Sequence, residues 1–159
     1  MQTPRPHLPA LPSRKDAEAL LARLRELQGQ RGQWLPLQGK FVALMCISDE
    51  SATAQRFRRA ANELGARVAW MHPSLDSSSS AELIQATARV LGRLYDAVEC
   101  QELDADLVDQ LRSGSGVPVF DALAAPRMSD LALLKMLEEA GVSTDRHGLL
   151  QARLLNALA

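Results

Sequence analysis

The run Phe41-Val42-Ala43-Leu44-Met45-Cys46-Ile47 constrains this chain more than any other feature: seven apolar residues with no polar interruption. A strand with one face in water alternates apolar and polar side chains. An unbroken run of this length therefore fits a strand covered on both faces, as in a parallel sheet. Further strands are expected at Arg67–Met71, Asp96–Cys100 and Val117–Phe120, each separated from the last by a stretch with helical spacing. Alternation of this kind predicts an α/β fold: a three-layer, doubly wound domain with about four parallel strands between helices.

The helices announce themselves by caps and faces. Ser13 followed by Asp16 is an N-cap pattern, and Ala17, Leu20, Leu21, Leu24 and Leu27 then share one side until Gly29 to Gly32. Phe57, Ala60, Ala61 and Leu64 form the apolar face of a second helix, stopped at Gly65. A serine-rich loop, Ser74 to Ser80, leads into a long helix with Leu83, Thr87, Val90, Leu91 and Leu94 along one face. Thr87 to Tyr95 is expected to face the core. Asp104 caps a helix through Leu111, and two more helices are expected at about Ser129–Ala140 and Arg146–Leu158. Met1 to Ser13, with four prolines, reads as a flexible lead-in to one domain over 14–159.

Several function classes lose support on composition. The net charge is −1, and no segment concentrates Lys and Arg with interleaved aromatics, so neither a nucleic acid nor an anionic membrane finds an electrostatic footprint. No apolar run has the length of a membrane span. The first 13 residues lack the apolar core of a signal peptide, and a cytoplasmic protein is expected. Cys46 and Cys100 sit in or beside apolar runs and read as buried thiols of a reducing compartment. His7, His72 and His147 are scattered without metal-ligand spacing, so neither a metal nor another cofactor is expected.

In open parallel sheets, ligands bind beyond the carboxyl ends of the strands, which directs attention to Ser48–Thr53, Cys100–Glu102 and Asp121–Pro126. A helix starting after the first strand points free N–H groups and its positive end at that place, which favours an anion. Ser51 and Thr53 add hydroxyls. No cation accompanies them, and Asp49 and Glu50 put carboxylates where an anion would sit. Two readings stand: Asp49, Glu50 and Ser51 cap the helix's own N–H groups, or the corner takes a neutral or cationic ligand. Arg56, Arg58 and Arg59 read as the solvated face of the helix.

Read with its flanks, this corner resembles the aspartate/ornithine carbamoyltransferase family. Gly39-Lys40-Phe41-Val42-Ala43-Leu44 looks like the family's first strand. Asn62-Glu63-Leu64-Gly65-Ala66-Arg67-Val68 resembles the end of its phosphate-site helix and the following strand. Thr87-Ala88-Arg89-Val90-Leu91-Gly92-Arg93-Leu94-Tyr95-Asp96 is close to the family's Asp-Thr-Ala-Arg-Val-Leu-Gly-Arg run, and Val117-Pro118-Val119 resembles the strand before its His-Pro-Thr-Gln motif.

The departures from the family fall on its chemistry. Glu50-Ser51-Ala52-Thr53-Ala54 stands where the family has Ser-Thr-Arg-Thr-Arg, so both arginines have become alanine. Ala81 replaces a lysine, Ala86 the aspartate that opens the long motif, and Gln101 the arginine after the third strand. Ser77 replaces a loop glutamine of the ornithine branch, and no His-Pro-x-Gln survives near Arg127-Met128-Ser129-Asp130.

By this resemblance Glu50, Ser51, Ala52, Thr53, Ala54, Ser77 and Gln101 mark a degenerate carbamoyl-phosphate site, and no catalytic residue is assigned. Three lost arginine contacts at about 1.5–3 kcal/mol each remove about 4–9 kcal/mol of binding. The resemblance also implies a homotrimer, with the loop Ser74–Ala81 reaching toward a neighbour, and it allows mixed assembly with a full-length carbamoyltransferase. The family's second, acceptor-binding domain has no counterpart in the sequence, and the last helix is expected to return onto the first domain. The leading expectation is a non-catalytic pseudo-enzyme of cytoplasmic amino-acid metabolism. The alternatives are a site with an altered ligand and, third, weak carbamoyl-phosphate transfer.

Overall fold

The computed structural model describes residues 13–30 and 32–159. Six helices and four strands follow one another as α1 (Arg14–Gly29), β1 (Phe41–Met45), α2 (Ala52–Glu63), β2 (Arg67–Met71), α3 (Ala81–Leu94), β3 (Ala97–Cys100), α4 (Ala105–Ser115), β4 (Val119–Asp121), α5 (Met128–Glu139) and α6 (Arg146–Leu158). The strands form one parallel sheet in the order β2-β1-β3-β4. The expected lead-in lies outside the described residues except for Ser13, which caps α1 in a reciprocal box with Asp16.

Strand β1 sits between β2 and β3, and its side chains alternate between two cores. Val42 and Leu44 face Phe57, Ala60 and Ala61 of α2 and Leu154 and Leu155 of α6. Ala43 and Met45 face Ile84, Ala88 and Leu91 of α3 and Leu107, Val108 and Leu111 of α4. This two-sided burial is why the run in the sequence shows no alternation. Outside α6, a third cluster joins Leu20 and Leu24 of α1 to Leu133 and Leu137 of α5. Pairing with β2 ends at Met45–Met71, and Ile47, expected within the strand, is exposed.

Helix α3 is turned differently from the expected face. Leu83, Val90 and Leu94 are 51%, 54% and 60% exposed, while Ile84, Ala88 and Leu91 are buried. The cause is close packing on α4 through small residues. A Cβ on Gly92 would stand 1.8 Å from the Ser115 carbonyl oxygen, and one on Gly114 would stand 3.0 Å from Ala88 Cβ. The side of α3 that carries Ala88 and Gly92 fits that approach and takes Ile84 and Leu91 in with it, so the stripe of Leu83, Val90 and Leu94 lies about a quarter turn away, in solvent.

The chain leaves β1 toward β2 through α2, then returns to place β3 on the other side of β1. The connections after β1 and β3 therefore diverge, and a crevice opens between them at the carboxyl ends of the strands.

Candidate functional site

Beyond β1 the chain turns through Cys46–Glu50, and α2 starts with Ser51 as its cap. The Ser51 hydroxyl accepts the Ala54 N–H at 3.1 Å, and the Glu50 N–H donates to Ser48 Oγ at 3.2 Å. Ser51, rather than an acid, thus satisfies the helix end. Asp49 turns away to Arg58 at 3.5 Å.

A cavity of about 350 Å³ lies at this corner, lined among others by Ser48, Ser51, Thr53, Gln101 and Glu102. Among the described residues no basic side chain lines it. Two of its lining residues, Glu102 at φ 59° and Ala122 at φ 51°, hold the left-handed conformation without being glycine. Strain of this kind collects where a fold positions a site.

Of the seven residues expected to mark the site, Ser51, Thr53 and Gln101 meet around this cavity. Glu50 and Ala52 are exposed and do not line it; Ala54 is buried in the core under α2. Ser77 is exposed in the loop before α3 and is likewise not among the lining residues. Among the described residues no group of His, Cys, Asp and Glu is placed to hold a metal ion.

The side chain with most leverage here is one that sequence reasoning missed. Glu99 of β3 is fully buried and accepts the N–H groups of Leu123 at 2.9 Å and Ala124 at 3.3 Å, and Gln101 Nε2 at 3.3 Å. It thereby ties the loop after β4 to the strand beneath the corner. Burial dominates its titration and pushes its pKa up to about 7 against those three donors. Gln101, 3% exposed, donates Nε2 also to the Thr53 carbonyl at 3.4 Å, while its Oε1 has no partner. A buried acceptor left open at a cavity wall is suited to a ligand that brings an N–H or O–H.

The thiols play no part in such chemistry. Cys46 and Cys100 are unpaired and buried. Burial raises the first above the ordinary thiol range and, with the nearby Glu99 and Asp121 charges, pushes the second up to about 12. Neither forms a thiolate near neutrality.

Residues 11–128 match the family model for the aspartate/ornithine carbamoyltransferase, carbamoyl-P binding domain. A catabolic ornithine carbamoyltransferase of Malacoplasma penetrans (strain HF-2) is 41% identical over 88 residues, which span 55% of this chain and 26% of that protein. The ornithine carbamoyltransferase of Burkholderia thailandensis E264 superposes with a TM-score of 0.62 at 19% identity, covering 80% of this chain and 45% of that one. That of Pyrococcus furiosus gives 0.60 at 21% identity, covering 80% and 42%. At these identities the likeness to the two structures is one of fold. The chain spans between about a quarter and under half the length of the relatives it matches.

Proposed function

The chain belongs to the aspartate/ornithine carbamoyltransferase family through its carbamoyl-phosphate-binding domain, and from that premise we propose that it works without catalysis. In this reading the domain over 14–159 is a cytoplasmic pseudo-enzyme that assembles with itself, as a homotrimer, or with an active carbamoyltransferase. The observation that carries it is the corner at the head of α2. The cavity where a carbamoyl phosphate would sit offers Ser51, Thr53 and Gln101, with the carboxylate of Glu102 at its wall and, among the described residues, no guanidinium.

Magnitudes favour inactivity. The positive end of a helix is equivalent to about half a unit charge, which one nearby carboxylate offsets. A charge-assisted contact contributes about 1.5–3 kcal/mol, and the same contacts stabilise charge in the transition state, so binding and rate fall together when they are missing. The exposed stripe Leu83, Val90 and Leu94 on α3 supports the assembly half of the reading. Native mass spectrometry, on the chain alone and mixed with a carbamoyltransferase, is expected to show a trimer or a mixed oligomer. A strict monomer that ignores the relative would defeat the assembly half. Saturable shifts of the amides of residues 51–53 on titration with carbamoyl phosphate at millimolar concentration would defeat the other.

A second reading rests on Gln101. Its open Oε1 and the cavity in front of it suit a neutral or cationic ligand with a donor group. Binding of a small amide that is lost on Gln101→Leu would favour this reading over a purely structural corner.

A further inference from the structure

A second cavity lies on the other flank of α2, between that helix, the loop after β4 and the first turns of α5 and α6. Its volume is about 280 Å³, near the lower end of the range for small-molecule sites. Four guanidinium groups, those of Arg56, Arg59, Arg146 and Arg153, line it with His147, against the single carboxylate of Asp130. The whole chain has a net charge of −1, so this density of cation is local and not a reflection of composition.

We propose that this cavity binds a small dianion, carried as a phosphate monoester or as a dicarboxylate, with Arg56 and Arg146 as its free arms. The carboxylates already present are committed elsewhere. Asp130, 3% exposed, accepts Arg153 Nη2 at 2.9 Å on one oxygen and the Arg127 N–H at 3.1 Å on the other. Glu63, beside the cavity, accepts Arg59 Nε at 2.9 Å, His147 Nε2 at 2.6 Å and Gln151 Nε2 at 3.0 Å. Partial burial pushes the Glu63 carboxyl up, yet the hydrogen bonds from His147 and Arg59 outweigh it and hold the group below its ordinary value.

These two acids therefore hold Arg153 and His147 in the wall, while the Arg59 side chain, 72% exposed, is only loosely held by its pair with Glu63. Arg56 and Arg146 have no ion-pair partner among the described residues. The first turn of α6 holds Arg146 and His147 directly after its cap, Asp145, whose carboxylate accepts the Gly148 N–H at 2.8 Å. That cap already occupies the positive end of the helix, so a bound anion gains from the guanidinium groups. Leu123, Pro126 and Leu150 provide an apolar wall for the body of the ligand. The inference stands apart from the proposal of inactivity, because it involves neither Ser51 nor Thr53.

The test is an NMR titration of the ¹⁵N-labelled chain at low ionic strength, first with inorganic phosphate and then with succinate. The Arg56 and Arg146 Nε–H signals are expected to shift saturably at millimolar ligand, with the amides of residues 51–53 unmoved. Arg56→Ala with Arg146→Ala should weaken binding about a hundredfold, at about tenfold for each charge-assisted contact, and so abolish saturation. Arg89→Ala, on the exposed side of α3, should leave it unchanged. Saturation by phosphate alone assigns a phosphate ligand, and saturation by succinate alone assigns a dicarboxylate. Both substituted arginines are exposed, so the melting temperature should hold; if it drops, the same pair changed to Gln repeats the test. No saturable shift, shifts confined to residues 51–53, or a double variant that binds like the wild type each overturn the proposal.

Discussion

Helix α2 borders two cavities that differ in the one property an anion feels. The corner at its head presents Ser51, Thr53, Gln101 and Glu102 and, among the described residues, no cation; the flank cavity presents four arginines and one carboxylate. Both lie beside the same helix, and the corner alone has its positive end. If the flank cavity binds an anion and the corner does not, a helix dipole, equivalent to about half a charge, does not decide anion affinity in this fold. The positions of the guanidinium groups would then decide it. Arg56 and Arg59, three residues apart, share a side of α2 and face α6, whereas positions 52 and 54 carry only methyl groups.

The two regions also hold their buried carboxylates in different ways, and this sets the largest expected effects. Asp130 is paired with the Arg153 guanidinium; Glu99 has only N–H donors and no cation in contact. Removing one partner of a buried pair leaves the other uncompensated, so Asp130→Ala should destabilise the fold by about 3 kcal/mol in urea unfolding. Adding Arg153→Leu should recover part of that loss, because the stranded charge goes too. A cost for Asp130→Ala below about 1 kcal/mol would mean the flank wall is not held by this pair.

Glu99 carries the pH dependence. Its folded-state pKa is raised to about 7 from 4.5, so the folded chain binds the extra proton between those values. The contribution is fully present below about pH 4.5 and is lost as pH rises toward and through about 7. The neutral acid needs an acceptor, and a half-turn of the Gln101 amide offers its unpartnered Oε1. Glu99→Gln should therefore flatten the stability profile across this window and exceed the wild type above it by about 2–3 kcal/mol. A wild-type profile that rises with pH over the same range would instead mean that the three donors outweigh burial.

Much of this was legible in the sequence, and the parts that were not share a physical cause. Unalternated β1, the Ser13 and Asp104 caps and the start of α6 at Arg146 follow from local pattern and stand as expected. The facing side of α3 does not, because close approach at Ala88, Gly92 and Gly114 outweighed the larger apolar area of Leu83, Val90 and Leu94. Glu99 escaped notice because a carboxylate inside an apolar strand gives no sign of the loop that will cover it. The flank cavity needed α2 and α6 side by side, two segments about 90 residues apart, and its α2 arginines, Arg56 and Arg59, read locally as a solvated face.

A smaller effect sharpens the contrast between the cavities. In a chain already carrying Arg56→Ala and Arg146→Ala, so that the flank is silent, Ala52→Arg should raise phosphate affinity at the corner. The exposed side chain adds one guanidinium beside the helix start, which amounts to about tenfold. Ala54→Arg should not do the same. That residue is 0% exposed under α2, and the change should lower the melting temperature before it can improve binding. Equal gains from the two variants, read by the same titration, would show that the core beneath the corner opens easily.

The smallest expected change in stability is also the one that separates packing from assembly. Leu91 and Leu94 are three residues apart on α3, yet Leu91 is 5% exposed against α4 and Leu94 is 60% exposed. Leu91→Glu buries a charge with no partner and should unfold the chain. Leu94→Glu moves a side chain already in water and should alter monomer stability by less than about 0.5 kcal/mol. If the stripe of Leu83, Val90 and Leu94 is where copies of this domain or its relatives meet, the same substitution should dissociate the oligomer, because an interface core has no room for an unpaired carboxylate. An oligomer that survives Leu94→Glu in sedimentation, with the fold intact, would move the assembly surface off α3.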